Sequence, residues 1–250
     1  YWARDLPTRR GLYNFDRWVV DYYRDTNAKA QAFMAGLSDM VVEFNPMRWR
    51  AYDDLPAKAE HQLVKVQSRL QGALGNMNFA FNLRRPPFDN RLVRDAITQL
   101  FDFEWINRVL LNGWAERNPS RFPNSELAGR GRPSSPEIEL LRPWKGKVRD
   151  EALEEEFTLP VSDGTGYQRP QRRKAYELFA QAGYALHEGY LVNGAGKPLS
   201  IEIITGNSDS QNVLLAFVAS LRRAGIDARL ADGHFELRAG RVVAKRSNKK

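Results

Sequence analysis

The amino-acid sequence predicts an α/β fold, and three stretches carry that prediction. Over residues 13–44 an alternating apolar segment, a helical one and a second short alternating one follow in turn. Over residues 77–101 a period-2 stretch runs into a period-3.6 stretch. Over residues 199–230 the sequence reads as strand, helix and strand. Strands interleaved with amphipathic helices build layered α/β structures.

The elements follow in order. In residues 13–25, Trp18, Val20 and Tyr22 alternate with Val19, Asp21 and Tyr23, the pattern of a strand. Residues 26–37 carry Ala28, Ala30, Ala32 and Phe33 and stop at Gly36, which predicts a helix with a glycine end. Residues 40–44 form a short strand. Residues 45–54 are loop or short helix, rich in Trp49, Arg50 and Tyr52. Residues 63–70 are expected to pair as a strand with residues 77–82, where Met77, Phe79 and Phe81 make the apolar, core-facing phase.

Pro86 and Pro87 end that strand, since neither can donate to a ladder. Asp89 is placed to cap a helix whose buried face is Val93, Ala96, Ile97, Leu100 and Phe101, and a second short helix spans 102–111. Residues 112–167 read as a long irregular region, with turn-rich GRGRPSSP (129–136) and VSDGTG (161–166) and a solvated acidic run at Glu154, Glu155 and Glu156.

The last unit is the clearest. Residues 171–182 place Ala175, Leu178, Phe179 and Ala182 on one helix face before Gly183. Leu199, Ile201 and Ile203 alternate as a strand. Ser208 can cap a helix bearing Leu214, Phe217, Val218 and Leu221, closed by Gly225, and residues 226–230 begin the next strand.

Composition narrows the function. At 250 residues the chain can bury a substantial core in one or two domains, and 42% hydrophobic residues is ordinary for a globular protein. No apolar run approaches the roughly 20 residues that cross a bilayer, so membrane insertion is not expected. Cysteine is absent, which removes disulfides, zinc–thiolate sites and thiol nucleophiles. His61, His187 and His234 lie far apart and outside any metal-ligand spacing. GxSxG and the phosphate-cradling glycine motifs are missing. The sequence therefore calls for neither an enzyme nor a cofactor.

The net charge of +8 permits a nucleic-acid reading. Residues 231–250 weaken it. They carry Arg238, Arg241, Lys245, Arg246, Lys249 and Lys250 against Asp232 and Glu236, and so supply half of the net charge, leaving a mildly basic body. Nucleic acid is not the favoured partner.

Several blocks carry a resemblance. FNLRRPPFDNRLVRDAI (81–97), AFMAGLSDM (32–40), YWARDLP (1–7), the spacing of Trp49, Asp54 and Pro56, and SRFPNSELA (120–128) occur in one order. Together they resemble the family 5 extracellular solute-binding proteins of ABC importers. The resemblance is to the branch that takes up oligopeptides and microcin-type peptide–nucleotide antibiotics. It runs to about Leu230, and the basic stretch beyond looks like an unstructured tail or the product of a changed reading frame.

The resemblance implies a periplasmic-binding-protein-like α/β fold, mostly the second lobe with a small piece of the first lobe. Residues 1–45 would belong to the first lobe and interlobe crossing, 46–230 to the second lobe, and 231–250 to a basic divergent tail. On this reading the chain is truncated at both ends, lacks one wall of the cleft, and binds weakly or not at all. Its partners would be an oligopeptide or peptide-like ligand and an ABC transporter permease, and its location the periplasm. The alternative is a non-catalytic fragment acting through its basic tail on nucleic acid, a membrane or another protein.

A peptide receptor needs pocket walls, amide partners and charged groups for the ligand's ends. Trp49, Tyr52 and Trp114 can supply walls; Asn45, Asn82, Asn124 and Ser125 can pair with amides. Arg50, Arg85 and Arg121 can grip a carboxylate or phosphate. Core packing is the competing role for each aromatic, and solvation for each arginine.

Overall fold

The computed structural model describes residues 2, 5–12, 15–68, 72, 75–205, 210–238 and 241–246; for residues 232, 234–238 and 241–246 it describes the backbone alone. The chain divides into two compact units, Tyr1–Glu43 and Phe44–Lys250.

The first unit is built on α1 (Thr26–Met34), which starts where the sequence predicts and ends at Met34, just before the predicted glycine stop. The Asp25 carboxylate accepts the free N–H groups of Asn27 at 2.8 Å and Ala28 at 3.1 Å. At the other end Gly36 takes φ +73°, and the N–H of Leu37 returns to the Ala32 carbonyl. Ala30 and Ala32 are buried, and Lys29 Nζ donates to the Val42 carbonyl at 3.2 Å.

The strands expected on either side of α1 do not form. Of residues 13–25, Tyr13 and Asn14 lie outside the described residues, and 15–23 carry no ladder; residues 40–44 carry none either. Trp18 and Tyr22, and also Val19 from the opposite phase, stay exposed. Alternation marks two faces, but a strand also needs a neighbour to receive its backbone N–H and C=O groups. Among the described residues neither segment has one.

The second unit opens with α2 (Pro46–Ala51), a 3₁₀ turn (Tyr52–Asp54) and α3 (Pro56–Ala59). The expected strand pair of residues 63–70 and 77–82 is also absent for want of a ladder, Arg69 and Leu70 lying outside the described residues. Val64, Val66 and Met77 are exposed, so the apolar phase there is not buried. Phe79 and Phe81 nonetheless reach the core through their rings: Phe79 meets Phe101 edge to face at 5.5 Å and lies tilted 4.9 Å from Phe217, and Phe81 lies 5.3 Å from Phe88.

A cis Pro86–Pro87 bond then leads to α4 (Arg91–Gln99). Asn90, not Asp89, caps it. Asn90 has the extended backbone an N-cap requires and accepts the Leu92 N–H at 2.9 Å, while Asp89 Oδ1 takes only the N–H of Asn90. The turn, in which the Asn90 N–H returns to Pro87, carries the chain one residue further before the helix begins. Next come α5 (Phe103–Leu110), α6 (Ser135–Leu141), α7 (Glu151–Glu154) and α8 (Arg169–Gln181).

A hairpin that the sequence reading missed follows: β1 (Tyr184–His187) and β2 (Tyr190–Asn193), antiparallel. Its two-residue loop, Glu188 at φ +48° and Gly189 at φ +84°, has the left-handed backbone that matches strand twist. Then β3 (Ser200–Thr205), α9 (Gln211–Arg223) and β4 (Asp227–Arg238) form a parallel crossover, with Ile201 opposite Ala228 and Ile203 opposite Leu230. Ser208, expected to cap α9, lies outside the described residues.

The end of the chain corrects another expectation. Residues 231–238 continue β4, and β5 (Arg241–Arg246) turns back on it antiparallel, giving the sheet order β3-β4-β5. Pairing, which a reading of charge does not reveal, makes residues 231–238 and 241–246 a hairpin rather than an unstructured tail; residues 239–240 and 247–250 lie outside the described residues.

The core unites the predicted faces. Val93, Ala96, Ile97 and Leu100 of the α4 region, Ala175 and Phe179 of α8, and Phe217, Val218 and Leu221 of α9 are buried with Leu191, Leu199, Ile201, Ile226 and Ala228. Each large side chain among them contributes about 1.5–3 kcal/mol of burial.

Candidate functional site

The aromatic candidates converge. Asn45 starts α2 by accepting the N–H groups of Met47 at 3.0 Å and Arg48 at 3.2 Å, with Pro46 in the first helical turn. One turn on, Trp49 meets Trp114 edge to face, ring centroids 5.8 Å apart and planes at 61°. Trp114 is 40% exposed and offers a ring surface to solvent. Tyr52 is 2% exposed and packs inside, the competing role for an aromatic. Arg50 is exposed.

Two residues absent from the sequence-based set complete this corner. Lys65 Nζ donates to the Trp49 carbonyl at 2.6 Å and to Asp53 Oδ2 at 2.7 Å, and it lies 4.6 Å from the centroid of the Trp49 ring. Its side chain is only 11% exposed, while Val64 and Val66 face solvent. The valines on either side suggest the opposite orientation, so period-2 reading hides this lysine.

The polar candidates form a second group. Asn124 has φ +53° and donates to the Gly72 carbonyl at 2.7 Å; Asn76 donates to the Ser120 carbonyl at 2.8 Å. These bonds tie Gly72 to Asn124 and Asn76 to Ser120. Ser125 Oγ donates to the Phe122 carbonyl and accepts the Leu127 N–H. Asn124 and Ser125 line an open depression of about 380 Å³ together with Glu126, Ala128 and Arg130. Arg121 is exposed. Glu126 and Arg130 were not singled out from sequence, where an isolated charge in a loop carries no signal of position.

Asn82 and Arg85 lie in the turn before α4. Asn82 Oδ1 accepts the backbone N–H and the Nε–H of Arg84, each at 3.3 Å, and the Arg85 N–H returns to the Asn82 carbonyl. Both side chains are exposed, and their contacts are local.

Residues 160–168, which include the turn-rich VSDGTG of the long irregular region, form a strap fastened beside α5. Asp102, 4% exposed, caps α5 through the Trp105 N–H at 3.1 Å, accepts the Gly166 N–H at 3.1 Å and takes the Ser162 hydroxyl. Glu104 accepts the Ser162 N–H at 2.9 Å, and Arg108 donates to the Gly164 carbonyl. Arg117, over the rings of Phe101 and Phe103, donates to the Pro160 carbonyl. Burial pushes its guanidinium below the usual arginine range, against the opposing charge of Glu104. Among the described residues no group of three or more acidic or histidine side chains could hold a metal, and no helix is long and apolar enough to cross a membrane.

The sequence matches the model of the bacterial extracellular solute-binding proteins, family 5 middle, over residues 1–249. The chain belongs to this family. A putative binding protein of Brucella melitensis is 38% identical over 227 residues, covering 90% of this chain and 37% of that protein. A probable peptide-binding protein of Agrobacterium fabrum is 34% identical over 233 residues, covering 92% and 38%. The chain thus spans between a third and two fifths of the length of these family members.

Solved family 5 folds agree with the architecture. NikA from Brucella suis superposes with a TM-score of 0.55 at 20% identity, covering 85% of this chain and 36% of that one. The oligopeptide-binding protein AppA from Bacillus subtilis, in complex with a nonapeptide, gives 0.51 at 19%, covering 83% and 34%. At these identities the likeness shows the fold: α/β and periplasmic-binding-protein-like. The family match extends through β4 and β5, past Leu230 where the recognisable blocks end.

Proposed function

We propose that the chain supplies one wall of a peptide-binding cleft in the substrate-binding component of an ABC importer. In this reading it takes oligopeptides or peptide-like compounds in the periplasm for an ABC permease. The observation that carries it is the 34% identity, along 233 residues, to the probable peptide-binding protein of Agrobacterium fabrum. The exposed Trp114 ring braced by Trp49, and the open depression at Asn124 and Ser125, are consistent with it.

Residues 1–45 are assigned to the first lobe and crossing, 46–230 to the second lobe, and 231–250 to its basic end. Ligand would lie extended against the second-lobe surface, the Trp114 indole covering apolar side chains and the amide and hydroxyl groups meeting its backbone. Capture would follow from closing two lobes, with no bond made or broken. A single wall leaves half the ligand in water, so the affinity of these residues alone is weak.

Native mass spectrometry with added pentaalanine, at low and then moderate salt, tests this. A peptide adduct that survives the salt supports the reading. A bare chain at every peptide concentration, or an adduct of nucleic acid that salt removes, overturns it, because amide contacts resist screening and phosphate contacts do not.

A further inference from the structure

The geometry points to Lys65 as the positioning residue of the aromatic wall, holding Trp49 in the orientation that braces Trp114. The part of this inference that concerns ligand rests on the peptide reading above; the part that concerns the rings does not.

A side chain that is 11% exposed and carries an ammonium must find partners for it, because an unpaired buried charge is strongly destabilising. Lys65 finds three, and two of them belong to Trp49. Its Nζ reaches the Trp49 carbonyl in the last turn of α2, the negative end of the helix. It also lies over the Trp49 ring at 4.6 Å, where the negative face of the indole attracts a cation. Asp53, from the turn that follows α2, balances the charge at 2.7 Å. One ammonium thus fixes both the backbone and the ring of the same tryptophan.

Trp49 on its own is under-determined. A six-residue helix and one edge-to-face ring pair leave room for the indole to turn about its side-chain torsions. With Lys65 across its face and Trp114 at 5.8 Å, the ring is held by two neighbours. Trp114, 40% exposed, is then left with a fixed backing and a free surface. Trp49 is half-buried under the cation and Trp114 is the more exposed ring, so Trp114 is the one placed to meet ligand.

Two indoles this close couple their electronic transitions, and the coupling appears as a couplet in circular dichroism, isolated by subtracting the spectrum of Trp114→Phe. The informative variant is Lys65→Met. It keeps the stem's length and packing and strands no buried charge, since the Asp53 side chain is 53% exposed. Lys65→Arg retains a cation and serves as rescue. Should Lys65→Met fail to fold, Asp53→Asn loosens the same ammonium from a half-exposed position.

The couplet is expected to fall at least about twofold in Lys65→Met, less in Asp53→Asn, and to recover in Lys65→Arg. An unchanged couplet in folded Lys65→Met or Asp53→Asn overturns the proposal. Pentaalanine affinity separates the two readings: a loss of about threefold to tenfold alongside the couplet supports both. A collapsed couplet with no change in affinity leaves Lys65 positioning the rings but removes this wall from the peptide site.

Discussion

Gly225 backs directly onto Gly189: a Cβ built on Gly225 would stand 2.8 Å from the Gly189 carbonyl oxygen, 3.0 Å from Leu186 and 3.2 Å from the Leu191 nitrogen. The same approach lets Leu191 N donate to the Gly225 carbonyl at 2.8 Å, joining the β1–β2 hairpin to the end of α9. Gly225 also has φ +87°. Gly225→Ala meets both a backbone clash and a left-handed conformation, and should cost about 2–3 kcal/mol. Urea denaturation would show a lower midpoint with an unchanged slope.

Asp102 joins α5 to the 160–168 strap through three acceptor contacts while 4% exposed. Asp102→Ala leaves the N–H groups of Trp105 and Gly166 without that acceptor, at a cost of about 2–3 kcal/mol. Amide exchange should accelerate at Ser162, Gly164 and Gly166 before it does in α8. Uniform acceleration would mean that the strap is no separate unit.

Phe217 anchors a ring cluster, 4.9 Å from Phe79 and 5.1 Å from Phe101. It is 4% exposed, while Phe79 is 38% exposed. Phe217→Ala should cost about 3–5 kcal/mol and Phe79→Ala less than half as much, because a cavity at Phe79 opens to water. Equal losses would show that residues 77–82 are an integral part of the core.

Asp227 gives a pH signature. Arg229 grips its carboxylate with Nε at 3.3 Å and Nη2 at 3.1 Å, and the Ser200 hydroxyl adds a bond at 3.1 Å. The Arg229 hydrogen bonds first, then that of Ser200, hold the carboxyl below its usual range. A folded-state value below the unfolded one stabilises the protein above the unfolded pKa, and that contribution fades as pH falls through the folded value. Wild type should therefore exceed Asp227→Asn in stability at neutral pH, and the difference should shrink from about pH 4 downward. A difference that grows on acidification would contradict the sign.

How much of this was legible in the sequence depended on where each residue's partners lie. The faces of α4, α8 and α9 were legible because a helix satisfies its own backbone, so period alone identifies the buried side. Val93, Ile97, Phe179, Phe217 and Leu221 are all buried as their spacing predicts. Residues 15–23, 63–68 and 77–82 alternate as strands do, but alternation cannot supply a ladder. The β1–β2 hairpin was missed because its turn uses Glu188 before Gly189 rather than Asn or Asp. Within the candidate site, Trp49 and Trp114 were named separately, and the structure places them in contact. Lys65 was invisible, because only folding turns its ammonium inward between two exposed valines.

The most direct test of the central claim uses the tryptophan indole N–H signals in NMR, assigned by single Trp→Phe variants and followed during a pentaalanine titration. This readout suits weak binding, and the indoles at Trp2 and Trp144 serve as exposed controls. The account predicts that the signals of Trp49 and Trp114 move together along one saturating curve while those of Trp2 and Trp144 stay in place. Stationary Trp49 and Trp114 signals, or shifts confined to the controls, would contradict it.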